Sequence, residues 1–365
     1  MFYESLMALV IGAAIILLVL WDAFETIVLP RRVRRRFRLT RIYYRTTWLP
    51  WSAVASRISA RQRRETLLGF FGPLSLIGLL ALWAVALVFG FAVVEYGLGS
   101  QVRAGSETPN FVMDLYISGT SFFTLGLGDV LPVSWPSRIV TTIESAVGFA
   151  FLAIIVGYLP VIYQSFSRRE VIISMLDARA GSPPTAAELL RRSAEDLTLD
   201  GLDALLRDWE QWSAELLETH LSYPVLAYFR SQHDNQSWLG ALTTILDASA
   251  LVMAGLTGRP SSQARLTFAM ARHTVVDLCQ VFNTRPDASR VDRLDAVTLQ
   301  RLHATLKAAG LEPEDRDGQR LAHFRRMYEP YADALGRHLH MELPCWMPAA
   351  PQKDNWQTTA WDTNR

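Results

Sequence analysis

The chain has 365 residues, half of them apolar, with a formal net charge of +1 and two cysteines. Its positive mean hydropathy excludes an ordinary soluble enzyme. Cys279 and Cys345 form neither a metal-ligand spacing nor a disulfide framework. The apolar residues concentrate before residue 166 and the remainder has the mixed composition of a soluble domain, so the length divides into two or three units.

A membrane-crossing helix needs about 20 mostly apolar residues. Leu6 to Leu29, Phe71 to Val94 and Ile139 to Tyr163 each meet that requirement. The first run is read as an anchor and not as a cleaved signal, because "MFYESL" carries an acid and the positive charge follows the run. Asp22 and Glu25 inside it lie three apart on one helix face. They are expected to pair with Arg near the interface, with a role in gating or in admitting ions as the alternative.

"RRVRRRFRLTRIYYR" follows the first span, Arg57, Arg61, Arg63 and Arg64 precede the second, and no acid lies between Arg31 and Arg64. The positive-inside rule therefore places residues 31–66 in the cytoplasm and the N-terminus outside. Arg31, Arg32, Arg34, Arg35 and Arg36 are the expected contacts for anionic lipid headgroups. Trp48 and Trp51 suit headgroup depth.

Span two returns outward, and "NFVMDLYISGTSFF" in the outer segment is too short to cross a bilayer. A half-helix that dips in and returns as an extended strand satisfies the rule that irregular backbone at membrane depth must be buried or line a water path. Pro109 and Asn110 suit its start. "SFFTLGLGD" comes next. Gly126 and Gly128 can adopt left-handed dihedrals that Leu and Thr resist. If they alternate with right-handed residues, consecutive carbonyls turn toward one axis, and four strands give stacked oxygen rings that replace an ion's water. Thr124 adds an innermost ring, Asp129 holds the strand at the outer mouth, and Leu125 and Leu127 pack behind.

This stretch resembles the potassium-channel filter, Thr-x-Gly-Tyr/Phe/Leu-Gly-Asp, at Thr124, Leu125, Gly126, Leu127, Gly128 and Asp129. The resemblance continues through Pro132 and Arg138 to Gly148, at the position of the family's inner-helix hinge glycine, and covers about residues 70 to 166. It implies a bacterial two-transmembrane, single-pore-loop channel with an added N-terminal span. The implied permeant ion is potassium, held at Thr124, Leu125, Gly126 and Leu127, with no cofactor and no catalysed reaction. One pore loop per chain makes the working unit a homotetramer. Leu127 stands where the family usually has a bracing tyrosine, so a less selective monovalent cation channel is the alternative.

In span three, Gly148, Gly157 and Pro160 are weak points, since Gly costs ~1 kcal/mol and Pro ~3 kcal/mol in a helix interior. Gly148 and Pro160 are the candidate gate positions. Glu144 and Thr141 either face the cavity or support the filter from behind. No span carries Arg at every third residue, so no strong voltage sensor is expected.

Beyond residue 166, Thr185 and Glu188 read as a capping box. Leu202, Leu205, Leu206, Trp209, Trp212 and Leu216 repeat at helical spacing, and runs near 238–256, 261–283, 291–309 and 317–340 look alike. "LGALTTILDASALVMAGL", with Asp247 inside, is read as a buried core helix and not as a fourth span. His220 and His233 match no metal spacing, Arg230 is a candidate for an anionic ligand, His273 is expected in the core, and His338 and His340 at a solvated helix end. The expected fold is an all-α membrane protein with three spans, a re-entrant pore helix and filter, and an all-helical cytoplasmic domain. Its divisions are 1–30 (first span), 31–66 (basic linker), 67–166 (pore), 167–343 (cytoplasmic helices) and 344–365 (a poorly ordered tail). The bacterial cytoplasmic membrane is the expected location, with the C-terminus in the cytoplasm. A non-conducting membrane sensor or scaffold, acting through the helical domain, is the reading from another class.

Overall fold

The computed structural model describes residues 2–29, 38–103, 108–196, 199–232, 235–256, 262–287, 289, 292–348 and 353–357. Arg31, Arg32, Arg34, Arg35, Arg36 and His233 lie outside them. The chain divides into two compact units, Met1–Val54 with Phe70–Gln164, and Ala55–Gly69 with Ser165–Arg365. It is an all-α membrane protein with three helical segments long and apolar enough to cross a bilayer, Tyr3–Val28, Arg61–Gly97 and Trp135–Ala180. The second and third contain the expected spans, and the first ends one residue short of Leu29.

The first unit is built from α1 (Phe2–Ala23), most of α2 (Leu39–Ser56), α3 (Arg61–Gly97) from Phe70 on, α4 (Phe111–Phe122) and α5 (Trp135–Ala180) up to Gln164. α1 lies so close on α3 that a Cβ on Gly12 would sit 2.7 Å from the Gly90 carbonyl oxygen. Val19, Leu79, Trp83, Leu87 and Phe122 form the core between them. Two antiparallel strands, β1 (Val102–Arg103) and β2 (Leu131–Pro132), bracket α4, with Val102 opposite Pro132.

The acids of span one find separate partners. Glu25 accepts a bond from the Trp21 indole at 2.7 Å and faces Arg38 at 3.6 Å, which is the expected arginine pairing. Asp22 uses neutral donors instead: the Thr40 amide at 3.1 Å, the Thr40 hydroxyl at 2.6 Å and the Trp83 indole at 3.1 Å. A carboxylate over the first turn of α2 complements that helix's positive end. Trp48, expected at headgroup depth, is buried edge-on against Phe71, ring centroids 4.7 Å apart.

The second unit comprises the N-terminal end of α3 and the C-terminal end of α5 with α6 (Ala186–Asp196), α7 (Leu199–Ser222), α8 (Trp238–Met253), α9 (Ser262–Phe282), α10 (Ala296–Ala308), α11 (Gln319–Arg326) and α12 (Glu329–Leu339). α8 is its centre, buried from Trp238 through Val252 and too short to span a membrane. The six large apolar residues picked out on α7 are all buried. α9 binds α7 through hydroxyls as well, Thr267 donating to the Leu206 carbonyl at 2.8 Å and Thr274 to that of Ser213 at 2.9 Å. The run read as one helix over 317–340 is two, because Pro330 begins a new helix and lacks the donor an interior position needs. At α6, Thr185 accepts from the Glu188 amide at 3.3 Å, while the Glu188 carboxylate turns to Arg191 and Arg192.

One charged network holds the core. Asp247, fully buried, accepts from Arg293 at 2.7 Å and from the Tyr328 hydroxyl, and Glu329 joins Arg293 at 2.8 Å to Arg325 at 2.9 Å. Both guanidiniums lie over the Trp346 ring, 5.5 and 5.4 Å from its centre. Trp346 is 1% exposed, and Asp354 pairs with Arg192 at 2.7 Å. The described part of the tail, expected loose from Pro344, is thus packed onto the helices.

The histidine expectations divide. His220 is buried, with Nδ1 donating to the Leu216 carbonyl at 2.8 Å and Nε2 accepting from Arg169 at 3.2 Å, a satisfied core residue. His273 is exposed and pairs with Asp277 at 3.3 Å, because it lies opposite the face that buries Phe268, Ala271, Val275 and Leu278. His338 is half-buried, stacked near Phe282 at 5.5 Å. Arg230 pairs with Glu65 at 3.3 Å and donates to the Leu339 and His340 carbonyls, which caps α12 and occupies the group proposed for a ligand.

Candidate functional site

α4 starts where the sequence says it should. Asn110 is extended at φ −150° and its side chain accepts from the Met113 amide at 3.1 Å, satisfying one orphan donor of the first turn. Twelve residues at 1.5 Å each give a helix of about 18 Å, half a bilayer. It ends at Phe122, and a turn at Phe123 and Thr124 carries the chain out of it.

The departing segment has an alternating backbone. Thr124, Gly126 and Gly128 have φ of 57°, 56° and 78°, while Leu125 and Leu127 are absent from the positive-φ residues. For Thr this is an uncommon conformation of the kind that concentrates at functional sites. It is held from below, since the Thr120 carbonyl at the end of α4 accepts from the Leu125 amide at 2.8 Å and the Gly126 amide at 3.3 Å. It is held from above too, where the Tyr116 hydroxyl donates to Asp129 at 2.8 Å. The strand then joins β2, whose pairing with β1 closes the outer segment, and the Arg138 guanidinium donates to the Pro132 carbonyl at 3.3 Å.

Leu125 and Leu127 were expected to pack behind the strand, yet they are 62% and 63% exposed.

The support behind α4 comes from hydroxyls and carboxyls. Ser118 donates to the buried Glu144 and lies 2.7 Å from the Val88 carbonyl. Glu144 is thus buried against α4, the helix that precedes Thr124. Thr141 donates to the Ser137 carbonyl at 2.9 Å and reaches Glu95 at 3.5 Å. Glu95, buried at the end of α3, accepts from Ser137 at 2.7 Å, and Ser100 donates to buried Asp114 at 2.5 Å.

α5 runs through Gly148 and Pro160 as one helix. Gly148 faces the end of α4, where a Cβ would lie 1.9 Å from the Phe122 carbonyl oxygen. Its absent side chain is what lets α5 approach. Sequence reasoning missed Tyr116, Ser118, Glu95, Ser100 and Asp114. A signal existed for Glu95, an acid at the end of an apolar run, and for Asp114, an acid inside one, and none for the others.

Among known proteins, residues 79–164 match the family model described as "Ion channel". That match takes in α4, the alternating strand and α5 as far as Gln164. The chain is also similar to the "Uncharacterized membrane protein YdjJ" of Bacillus subtilis (strain 168), 24% identical over 192 residues, 52% of this chain and 55% of that protein. The chain thus spans about half the length of that relative. No solved structure matches. The half-length helix, the segment after it and the helix behind them are therefore the part of this membrane protein that is similar to the ion-channel family.

Proposed function

We propose that four copies of this chain form a potassium-selective channel, with Thr124 to Asp129 as the filter. The observation that carries the reading is the alternation of positive φ at Thr124, Gly126 and Gly128 with the leucines between them. In such a backbone successive carbonyls point the same way, and four strands around an axis surround a dehydrated cation with oxygen. The C-terminal end of α4 points its negative dipole at the same region. The uncovered Leu125 and Leu127 favour neighbouring subunits that bury them. Potassium would sit at Thr124, Leu125, Gly126 and Leu127, with Asp129 gathering cations at the mouth. Gly148 and Pro160 are the proposed gate positions. Arg31, Arg32, Arg34, Arg35 and Arg36 are the proposed partners of anionic headgroups on the cytoplasmic side of a bacterial inner membrane, with the N-terminus outside.

The test is reversal potential in planar bilayers holding the full chain, under opposed potassium and sodium gradients. Potassium selectivity with barium block is expected, and Gly126→Ala should abolish it, since L-residues cost about 1–2 kcal/mol at this φ. Equal permeability would favour a less selective cation channel, a reading supported by Leu127, which has no hydroxyl to brace the strand. Absence of any barium-sensitive current from fourfold particles would leave the sensor or scaffold reading.

A further inference from the structure

The second unit contains a cavity of about 1020 Å³, walled by α11, α12, residues 341–343 and the start of α3. This is the volume of a small-molecule site, and its wall chemistry is guanidinium and carboxylate. The acids are already engaged, Asp287 by the Ser289 amide and hydroxyl and the others by arginines. Asp292 and Glu329 hold Arg325, Glu329 also holds Arg293, Asp333 faces Arg337 at 3.0 Å, and Glu342 faces Arg61 at 3.2 Å and Arg64 at 3.3 Å.

The donors are not all used. Arg337 bonds Asp333 through Nε, so its two terminal nitrogens meet no acceptor among the described residues. Arg64 gives Glu342 only one terminal nitrogen. The side chain of Arg326, also on the wall, has no hydrogen bond or ion pair among the described residues. The imidazole of His340, on the same wall, is held below the ordinary range first by burial and then by the charges of Arg230 and Arg64.

We propose that this cavity binds a phosphate-bearing anion through Arg64, Arg326 and Arg337. One guanidinium fork saturates a carboxylate, whereas three forks on one wall suit the several oxygens of a phosphate. The phosphate can belong to a soluble solute or to a phospholipid headgroup. Arg64 lies seven residues ahead of Phe71, about 10 Å along the helix from the apolar run. Occupancy competes with Glu342 for Arg64 and so acts on the first turn of the outer pore helix.

The experiment uses the full chain in phospholipid-free detergent, titrated calorimetrically with sodium pyrophosphate against sodium chloride of equal ionic strength. Dioctanoyl phosphatidylglycerol below its micellar concentration is the second probe. Saturable binding of one probe per chain is expected, weakened on the order of tenfold or more in Arg326→Gln/Arg337→Gln. Pyrophosphate binding alone identifies a soluble ligand, lipid binding alone a headgroup, and binding of both the shared phosphate chemistry. If the double variant melts lower, Arg326→Lys/Arg337→Lys keeps the charge and removes the fork, and the same weakening is expected. Neither probe saturating, or full affinity in whichever variant keeps the melting temperature, overturns the proposal. Binding is read without current, so the outcome is separate from whether the pore conducts.

Discussion

Replacing Gly148 by Ala sets one methyl group against main-chain atoms. Its carbon would lie 1.9 Å from the Phe122 carbonyl oxygen and 2.7 Å from the carbonyl carbon. No rotamer change relieves that overlap, so α5 or the end of α4 must retreat by about 1.1 Å, the gap between 1.9 Å and the 3.0 Å that real Cβ atoms respect. Alanine favours a helix over glycine by about 1 kcal/mol. Overpacking against a rigid neighbour costs about 1–3 kcal/mol, and backbone on both sides puts this site at the upper end. A net loss of about 1–2 kcal/mol per chain follows, together with displacement of the residue two before Thr124. Melting of the detergent-solubilised full chain, followed by tryptophan fluorescence, should fall by a few degrees, and potassium current should fall with it. Gly157→Ala is the internal control, since a Cβ there meets nothing within 4 Å. If both variants melt at or above the parent, Gly148 is present for flexibility and the close-approach argument is wrong.

Ser118→Ala removes the hydroxyl that serves Glu144 and strands a buried carboxyl, at about 1–3 kcal/mol; a melting temperature equal to the parent's would contradict this. Asp247→Ala leaves Arg293 without its buried partner and should cost about 3–5 kcal/mol, seen as loss of protease resistance in the helical domain, whereas the exposed His273→Ala should leave that resistance unchanged. His220 is held well below its ordinary 6.5 by burial and then by Arg169, so between those values the unfolded state binds the extra proton. Stability is then full above about pH 6.5 and declines as the pH falls toward 5.5; His303 and His338 shift in the same direction. A shallower decline in His220→Gln is the check, and a flat profile in the parent would count against it.

What was legible in the sequence depended on range. Span length, the Asn110 cap, the Thr124 to Asp129 pattern and the apolar face of α7 are local properties, written within one or a few helical turns. The contacts that stabilise the site join residues far apart in the chain: Tyr116 to Asp129, Ser118 to Glu144, Glu95 to Ser137. Their side chains are ordinary in composition, and only the fold makes them neighbours. His273 shows the opposite error, since counting it into an apolar stripe ignored that its position turns about 200° from Ala271 and away from the core. Gly148 was visible as a glycine, but the reason for it lies in α4, 26 residues earlier.

Trp346 has a practical consequence for anyone shortening this protein. Prolines and polar residues after Leu343 invite a stop codon there, yet that cut removes the aromatic plate on which Arg293 and Arg325 rest. The two cations would then open to water beside Asp247, and the helical domain would lose a large buried apolar side chain. The trimmed protein should aggregate where the full-length chain stays dispersed.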